Sequence, residues 1–119
     1  NIVFFKSLGS RKYLSILKFV DGVIGNSSSG ISEVPFFGIG TINLGDRQNG
    51  RILVPSIINC DISQNKIKKA IKLLYSKKFR SNIQKNMKHY GTGKSVKKIA
   101  NKIISFNFKK FKKKEFIDL

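Results

Sequence analysis

The sequence predicts an α/β fold in which a parallel sheet is flanked by helices, with further helices at the C-terminal end. Two observations support this fold class. In the first 61 residues, short apolar runs alternate with glycine-rich turns and helix-spaced segments, as in βαβ units. From residue 63 onward, apolar residues recur at helical spacing with lysines between them. The 119 residues allow one small domain, which we assign to residues 1–105, and we expect residues 106–119 to form a basic, disordered tail.

The first three elements are predicted as strand, helix and strand. The continuous apolar run at residues 2–5 is typical of a strand that is buried on both faces. Residues 13–20 place Tyr13, Leu14 and other apolar side chains at helical spacing, with basic residues on the opposite face. The run GVIG at residues 22–25 is bounded by turn residues and predicts the second strand.

A short helix is expected next, over residues 31–37. Pro35 should make its early part irregular, because proline lacks a backbone N–H. Gly38 and Gly40 are expected to end it. Two further strands are predicted at residues 41–44 and 57–60.

The remainder of the chain is predicted to be helical. Ser63 is expected to cap a helix that turns Ile67, Ala70, Ile71 and Leu74 inward. Another helix is expected over residues 79–87. The last is expected over residues 96–104, with an inward face formed by Val96, Ile99, Ala100 and Ile103.

The formal net charge of +18 is concentrated in the second half of the chain. Eighteen of the 24 basic residues lie between residues 62 and 114, where there is no acidic residue. Such a block is compatible with a polyanion-binding module. We favour a solvated lysine face together with compositional bias toward Lys, Ile, Asn and Phe, and therefore expect neither nucleic acid nor a membrane as a partner.

Several features bound the class of protein. No apolar run approaches the roughly 20 residues of a membrane span, and no signal peptide is evident, so an intracellular, cytoplasmic protein is expected. Cys60 is the single cysteine, which excludes an internal disulfide, and we expect a buried thiol and no zinc site or other cofactor. The start at Asn1, directly before an apolar run, indicates a fragment of a longer protein.

The most informative segment is residues 25–51, which begins GNSSSGIS. A predicted strand ends at Gly25, serines follow, and a helix begins near Gly30. The serine hydroxyls and free backbone N–H groups should therefore converge at a helix N-terminus, which suits a phosphate or pyrophosphate. Glu33, about one turn into that helix, has two open interpretations. It could accept hydrogen bonds from a ribose diol, or it could simply offset the helix dipole.

The polar loop GDRQNGR at residues 45–51 follows the next strand, at the carboxyl edge where open α/β sheets bind ligands. Arg47 or Arg51 could neutralise a diphosphate through charge-assisted hydrogen bonds. The alternative is a solvated loop in which Asp46 pairs locally with an arginine.

These residues also carry a resemblance. The segment GNSSSGI at residues 25–31, then Glu33, then INLGDRQNGR at residues 42–51, is similar to the long motif of the hydrolysing UDP-N-acetylglucosamine 2-epimerases. The segment KSLG at residues 6–9 and the glycine-containing turn at residues 91–95 resemble further parts of that family. The resemblance covers roughly residues 2–105.

The resemblance implies a Rossmann-like C-terminal half of a GT-B fold, with UDP-N-acetylglucosamine bound between two halves. Carried over by position, the UDP-binding residues are Ser27 and Ser28 at the diphosphate, Glu33 at the ribose, Arg47 at the phosphate or uridine, and Leu8 near the uracil. The family chemistry is anti elimination of UDP followed by addition of water, which yields N-acetylmannosamine for sialic-acid-like sugars. Its catalytic carboxylates belong to the N-terminal half, so no catalytic residue is assigned here and the fragment is expected to be inactive. The parent enzyme is expected to be a homo-oligomer.

Two rival enzymes share this architecture: a non-hydrolysing 2-epimerase and a GT-B glycosyltransferase. The NSSSG and DRQNGR forms favour the hydrolysing group. Two other features are given no functional role. His89 is interpreted as a surface histidine. The segment GTGKS at residues 91–95 ends like a P-loop but lacks the required first glycine, since Lys88 stands there, so we interpret it as a turn capped by Ser95.

Overall fold

The computed structural model describes residues 2–85, 91 and 93–107. Within these residues the fold is α/β, as predicted. The helices are α1 (Gly9–Ile16), α2 (Ser29–Ser32), α3 (Gln64–Leu74), α4 (Lys77–Lys85) and α5 (Ser95–Ser105). The strands are β1 (Gly22–Gly25), β2 (Gly40–Leu44) and β3 (Ile57–Cys60), and a 3-10 helix spans Val34–Phe37.

The three strands form one parallel sheet in the order β1-β2-β3. Gly25 of β1 is in register with Asn43 of β2, and Leu44 of β2 is in register with Cys60 of β3. All three strands therefore end at the same edge of the sheet. A single turn of helix and the 3-10 helix connect β1 to β2, whereas residues 45–56 connect β2 to β3.

Helices lie against both faces of the sheet because alternate residues of β2 point to opposite sides. On one face, Ile42 belongs to the main hydrophobic cluster, which contains Ile42, Ile58, Cys60, Ala70 and Leu74 and is extended by Leu44, Ile67 and Phe79. On the other face, Thr41 donates a hydrogen bond to Gly30 of α2. This two-faced packing is the arrangement expected of a Rossmann-like sheet.

The strand predicted at residues 2–5 is wrong. These four side chains are between 63% and 90% exposed, and residues 2–5 form no strand. An apolar run becomes a buried strand only where a neighbouring strand and a covering layer are available. In the described part of the chain, the only strand pairs are β1 with β2 and β2 with β3.

Two predicted helix boundaries in the first half are also corrected. The helix expected over residues 13–20 is α1, which begins at Gly9 and ends at Ile16. The short helix expected over residues 31–37 is divided into α2 and the 3-10 helix, because Pro35 lies at the start of the latter. Gly38 ends it in the left-handed conformation at φ 67°, as predicted. Gly40 instead begins β2.

The helices of the second half lie close to their predicted positions, although α4 begins at Lys77 rather than at residue 79. Not all of their predicted inward residues are buried, since Ile71 of α3 is 41% exposed. Ser63 caps α3 by accepting a hydrogen bond from the backbone N–H of Lys66 at 3.3 Å, and Cys60 is buried as expected. By contrast, every residue of α5 is exposed, so the inward face predicted for it is wrong. Its apolar stripe has the helical period, but the period alone does not supply a surface to pack against.

Two interpretations concern segments that are described only in part. His89 and most of the predicted tail lie outside the described residues. Lys94 occupies the N-cap position of α5 and Ser95 is its first helical residue, so the predicted capping role of Ser95 is wrong. In the described ranges, no helix combines the length and apolar character needed to cross a bilayer.

Candidate functional site

Two polar loops meet at the carboxyl edge of the sheet. The serine loop (residues 26–29) follows β1, and the arginine loop (residues 46–51) follows β2. Because β1 and β2 are adjacent, parallel and in register at Gly25 and Asn43, both loops leave the sheet at the same level. This is the position at which open α/β sheets bind ligands.

Three backbone donors at the end of the serine loop and in the first residues of α2 are bonded to the serine loop itself. The N–H of Gly30 donates to the Ser27 carbonyl at 3.1 Å, and that of Ile31 donates to the Ser28 carbonyl at 3.0 Å. The N–H of Ser29 donates to Ser27 Oγ at 3.3 Å. Of the free backbone N–H groups expected at the N-terminus of the short helix, those of Ser29, Gly30 and Ile31 are therefore already bonded within this segment. Ser27 and Ser28 are both exposed, so their hydroxyls are the accessible polar groups.

The third serine is held by α1. Tyr13 Oη and Ser29 Oγ are 2.6 Å apart in a partly buried hydrogen bond. Leu8, which is half-buried, immediately precedes the same helix. The contact therefore joins the helix that follows Leu8 to the serine loop, and it occupies the hydroxyl of Ser29. The sequence indicated Tyr13 only as an apolar-face residue, so this polar contact was missed.

Glu33 lies at the junction between α2 and the 3-10 helix. Its backbone N–H donates to the Ser29 carbonyl at 2.9 Å, and its carbonyl accepts from Phe36 N–H at 3.1 Å. The side chain is exposed and, among the described residues, forms no ion pair. Glu33 follows the last residue of α2 and therefore does not lie at the N-terminus of that helix. It instead occupies the N-cap position of the 3-10 helix, where its side chain forms no capping hydrogen bond.

The arginine loop presents exposed side chains around one buried residue. Arg47, Asn49 and Arg51 are exposed, whereas Gln48 is 4% exposed. Gln48 Nε2 donates a hydrogen bond to the carbonyl of Asn26 at 2.8 Å. Within residues 2–85, 91 and 93–107, Asp46 forms no salt bridge with Arg47 or Arg51. The local Asp46–arginine pair, which was the alternative interpretation of this loop, is therefore absent from the described residues.

Gln48 is the second residue of the site whose role sequence reasoning missed. It was recognised as part of a polar loop, and a glutamine in such a loop is ordinarily exposed. Its burial depends on the approach of the serine loop, from 22 residues earlier in the chain. No local pattern in the sequence carries that signal.

The other acidic residues near the sheet have structural partners. Asp21 accepts a hydrogen bond from Arg80 Nη2 at 3.0 Å and from Tyr75 Oη at 3.3 Å. Asp61 pairs with Lys66, and this hydrogen bond, with the attraction between the two charges, raises the pKa of Lys66. Neither carboxylate lies in the serine loop or the arginine loop.

A parallel sheet with helices on both faces and two polar loops at its carboxyl edge defines the fold of this chain as Rossmann-like α/β. Residues 1–104 match the family model described as UDP-N-acetylglucosamine 2-epimerase. The chain belongs to that family, as the sequence resemblance indicated.

Individual relatives agree with this assignment. A GDP/UDP-N,N'-diacetylbacillosamine 2-epimerase (hydrolyzing) of Campylobacter jejuni is 51% identical over 78 residues, which is 66% of this chain and 20% of that protein. The polysialic acid biosynthesis protein P7 of Escherichia coli is 42% identical over 84 residues, which are 71% of this chain and 22% of the length of that protein. A UDP-N-acetylglucosamine 2-epimerase of Neisseria meningitidis is 39% identical over 67 residues, 56% of this chain and 18% of its own. The chain thus spans about a fifth of the length of these relatives.

Proposed function

We propose that this chain forms the UDP-binding part of a hydrolysing nucleotide-sugar 2-epimerase. The observation that carries the proposal is the position of the two loops: Ser27 and Ser28 follow β1, Arg47 follows β2, and these strands end side by side at the carboxyl edge. Hydroxyl donors and a guanidinium at one sheet edge are the groups that recognise a diphosphate. Membership of the epimerase family, whose name specifies a UDP-sugar, supports uridine diphosphate as the nucleotide of this proposal.

The proposed roles of the individual residues are those that the family resemblance implies, and the surroundings of each residue are compatible with its role. The exposed hydroxyls of Ser27 and Ser28 donate to the diphosphate, and Arg47 supplies its positive charge. Glu33 follows the last residue of α2 and has an exposed side chain, and its carboxylate accepts hydrogen bonds from the ribose hydroxyls. Leu8 lies at the start of α1, which contacts the serine loop through Tyr13, and it packs near the uracil ring.

In the parent enzyme, this part would hold the leaving group of the reaction. UDP departs from C1 of the sugar by anti elimination, and water then adds to the resulting glycal with inversion at C2. The acid and base for these steps come from another part of the parent protein, and the isolated chain is inactive. We propose UDP-N-acetylglucosamine as the substrate, with N-acetylmannosamine and UDP as products. The name of the Campylobacter jejuni relative makes N,N'-diacetylbacillosamine, carried on a nucleotide, the principal alternative sugar.

The test is a calorimetric titration of the 119-residue chain with UDP. We expect saturable binding, and a Ser28→Ala variant that binds about tenfold more weakly, which corresponds to the loss of one hydrogen bond to a charged group. Ser15→Ala is the matched control, because the Ser15 hydroxyl is exposed and bonded within α1 to the Arg11 carbonyl at 2.9 Å. A folded wild-type chain that does not bind UDP, or a Ser28→Ala variant with unchanged affinity, would contradict the proposal.

The basic second half of the chain suggests a competing outcome. If it were a polyanion-binding module, affinity for heparin would fall steeply with salt and would be unchanged in Ser28→Ala. UDP would then compete weakly or not at all. Titrations with heparin and UDP at two salt concentrations separate these two functions.

A further inference from the structure

Gln48 is a buried amide in a loop whose neighbouring side chains are exposed. Its side chain is 4% exposed and donates a hydrogen bond through Nε2 to the Asn26 carbonyl at 2.8 Å. Its Oε1 atom is fully buried and accepts no hydrogen bond from the described residues. Burying an unpaired acceptor is unfavourable, so an apolar side chain of similar size would satisfy packing alone at least as well.

Among the described residues, two hydrogen bonds connect the arginine loop and the residue before it to other segments of the fold. At its base, the N–H of Gly45 donates to the Cys60 carbonyl at 2.9 Å. Inside the loop, Asn49 N–H donates to the Asp46 carbonyl at 2.8 Å, which shapes a turn but does not fix its direction. The Gln48–Asn26 hydrogen bond is the contact that directs this turn toward the serine loop.

We propose that Gln48 is a positioning residue for diphosphate binding, which holds Arg47 beside the serine loop through its hydrogen bond to Asn26. The proposal rests on the proposed function, since it assigns Arg47 to the diphosphate of UDP. Asn26 directly precedes Ser27, and Gln48 directly follows Arg47. One hydrogen bond therefore sets the spacing between the two loop segments that carry the hydroxyl donors and Arg47. Without it, the ligand would have to order the arginine loop at the cost of binding energy.

The decisive variant is Gln48→Met, because methionine has a similar volume and removes both the Nε2 donor and the unpaired Oε1. We expect UDP affinity to fall about tenfold. In an Arg47→Ala background, Gln48→Met should have no further effect, since the residue acts through Arg47. The matched control is Gln84→Met: Gln84 is exposed in α4 and donates to the Gly38 carbonyl at 3.4 Å, away from both loops. Its UDP affinity should equal that of the wild type.

A second measurement tests the attachment of the loop without ligand. Amide hydrogen exchange at Asn49 and Arg51, whose N–H groups bond within the loop, should become faster in Gln48→Met. Exchange at Thr41, whose N–H donates to the Ser56 carbonyl inside the sheet region, should stay as in the wild type. Faster exchange at all three amides would indicate general destabilisation and would overturn a positioning role.

The outcomes separate this proposal from the proposed function. Unchanged UDP affinity in Gln48→Met, or an equal loss in the Arg47→Ala background, overturns the positioning role while UDP binding stands. If the wild-type chain does not bind UDP, the proposed function fails, and hydrogen exchange alone decides the loop contact. Unchanged exchange at Asn49 and Arg51 in Gln48→Met then overturns the proposal. Faster exchange at these two amides, with unchanged exchange at Thr41, supports the Gln48–Asn26 attachment on which the proposal depends.

Discussion

Gly30 and Thr41 bring the single turn of α2 directly against β2. Thr41 Oγ1 donates a hydrogen bond to the Gly30 carbonyl at 2.7 Å, and a Cβ atom added to Gly30 would lie 2.7 Å from Thr41 Cγ2. Thr41 is 2% exposed, and rotating its side chain away from such a Cβ would break the hydrogen bond. The close approach therefore requires glycine, and it holds the turn that follows the serine loop against the sheet.

The first prediction concerns this contact. Gly30→Ala should lower the free energy of unfolding by about 1–3 kcal/mol, the range for overpacking a buried site. Urea unfolding followed by circular dichroism measures the change. The double variant Gly30→Ala/Thr41→Ser removes Cγ2 but keeps the hydroxyl, and it should recover most of the loss. If Gly30→Ala alone were as stable as the wild type, the turn of α2 would be able to move away from β2.

The second prediction concerns the link between α1 and the serine loop. Tyr13→Phe removes the partly buried hydrogen bond to Ser29 and should lower the free energy of unfolding by about 1 kcal/mol. Tyr75→Phe is the control, because its exposed hydroxyl is 3.3 Å from Asp21, and it should change stability by less than about 0.5 kcal/mol. Equal effects in urea unfolding would mean that the Tyr13–Ser29 contact adds nothing beyond a surface hydrogen bond.

The third prediction tests the role of Glu33 through the ligand. If its carboxylate accepts from both ribose hydroxyls, the wild-type chain should bind UDP several-fold more tightly than 2′-deoxy-UDP. Removing one hydrogen bond to a charged group corresponds to roughly tenfold in affinity. Glu33→Gln should reduce this preference, and Glu33→Ala should abolish it. A preference that persists in Glu33→Ala, measured by calorimetry, would place the ribose elsewhere.

The fourth prediction concerns the Asp61–Lys66 pair after β3. The hydrogen bond to Asp61, and then its charge, raise the pKa of Lys66 above its ordinary value of 10.5. Because the folded-state pKa is the higher one, the contribution of the pair to stability is present below pH 10.5 and is lost as the pH rises through the raised value. NMR titration of the Lys66 side chain should show a lower pKa in Asp61→Asn. Asp21→Asn should leave it unchanged, since Asp21 pairs with Arg80 instead.

The fifth prediction compares two apolar residues, each of which is the last residue of the inward-facing stripe that the sequence predicts for its helix. Leu74 in α3 is 5% exposed and belongs to the main cluster, whereas Ile103 in α5 is 55% exposed. Leu74→Ala should lower the free energy of unfolding by about 2–5 kcal/mol. Ile103→Ala should change it by no more than about 0.5 kcal/mol. A large loss in Ile103→Ala would show that α5 packs on the domain in solution.

Much of the fold could be predicted from the sequence. The strands at residues 22–25 and 57–60 agree with β1 and β3, and the one predicted at 41–44 falls within β2. The cap at Ser63 and the stop at Gly38 were also correct, because each follows from the chemistry of one residue and its near neighbours. Residues 2–5 and the inward face of α5 were predicted to be buried and are exposed.

The sequence by itself determined the α/β class, the succession of β1, β2 and β3 along the chain, and the presence of polar loops after two of these strands. These depend on apolar periodicity and turn residues, which are local. Only the tertiary structure decided which side chains of those loops are held and which are accessible. Ser29 is bonded to Tyr13, Gln48 is bonded to Asn26, and Ser27, Ser28 and Arg47 are left exposed. The physical reason is that burial and hydrogen bonding at the sheet edge depend on segments that the parallel register of β1 and β2 brings together. These segments are distant in sequence, so local residue spacing does not predict their contacts.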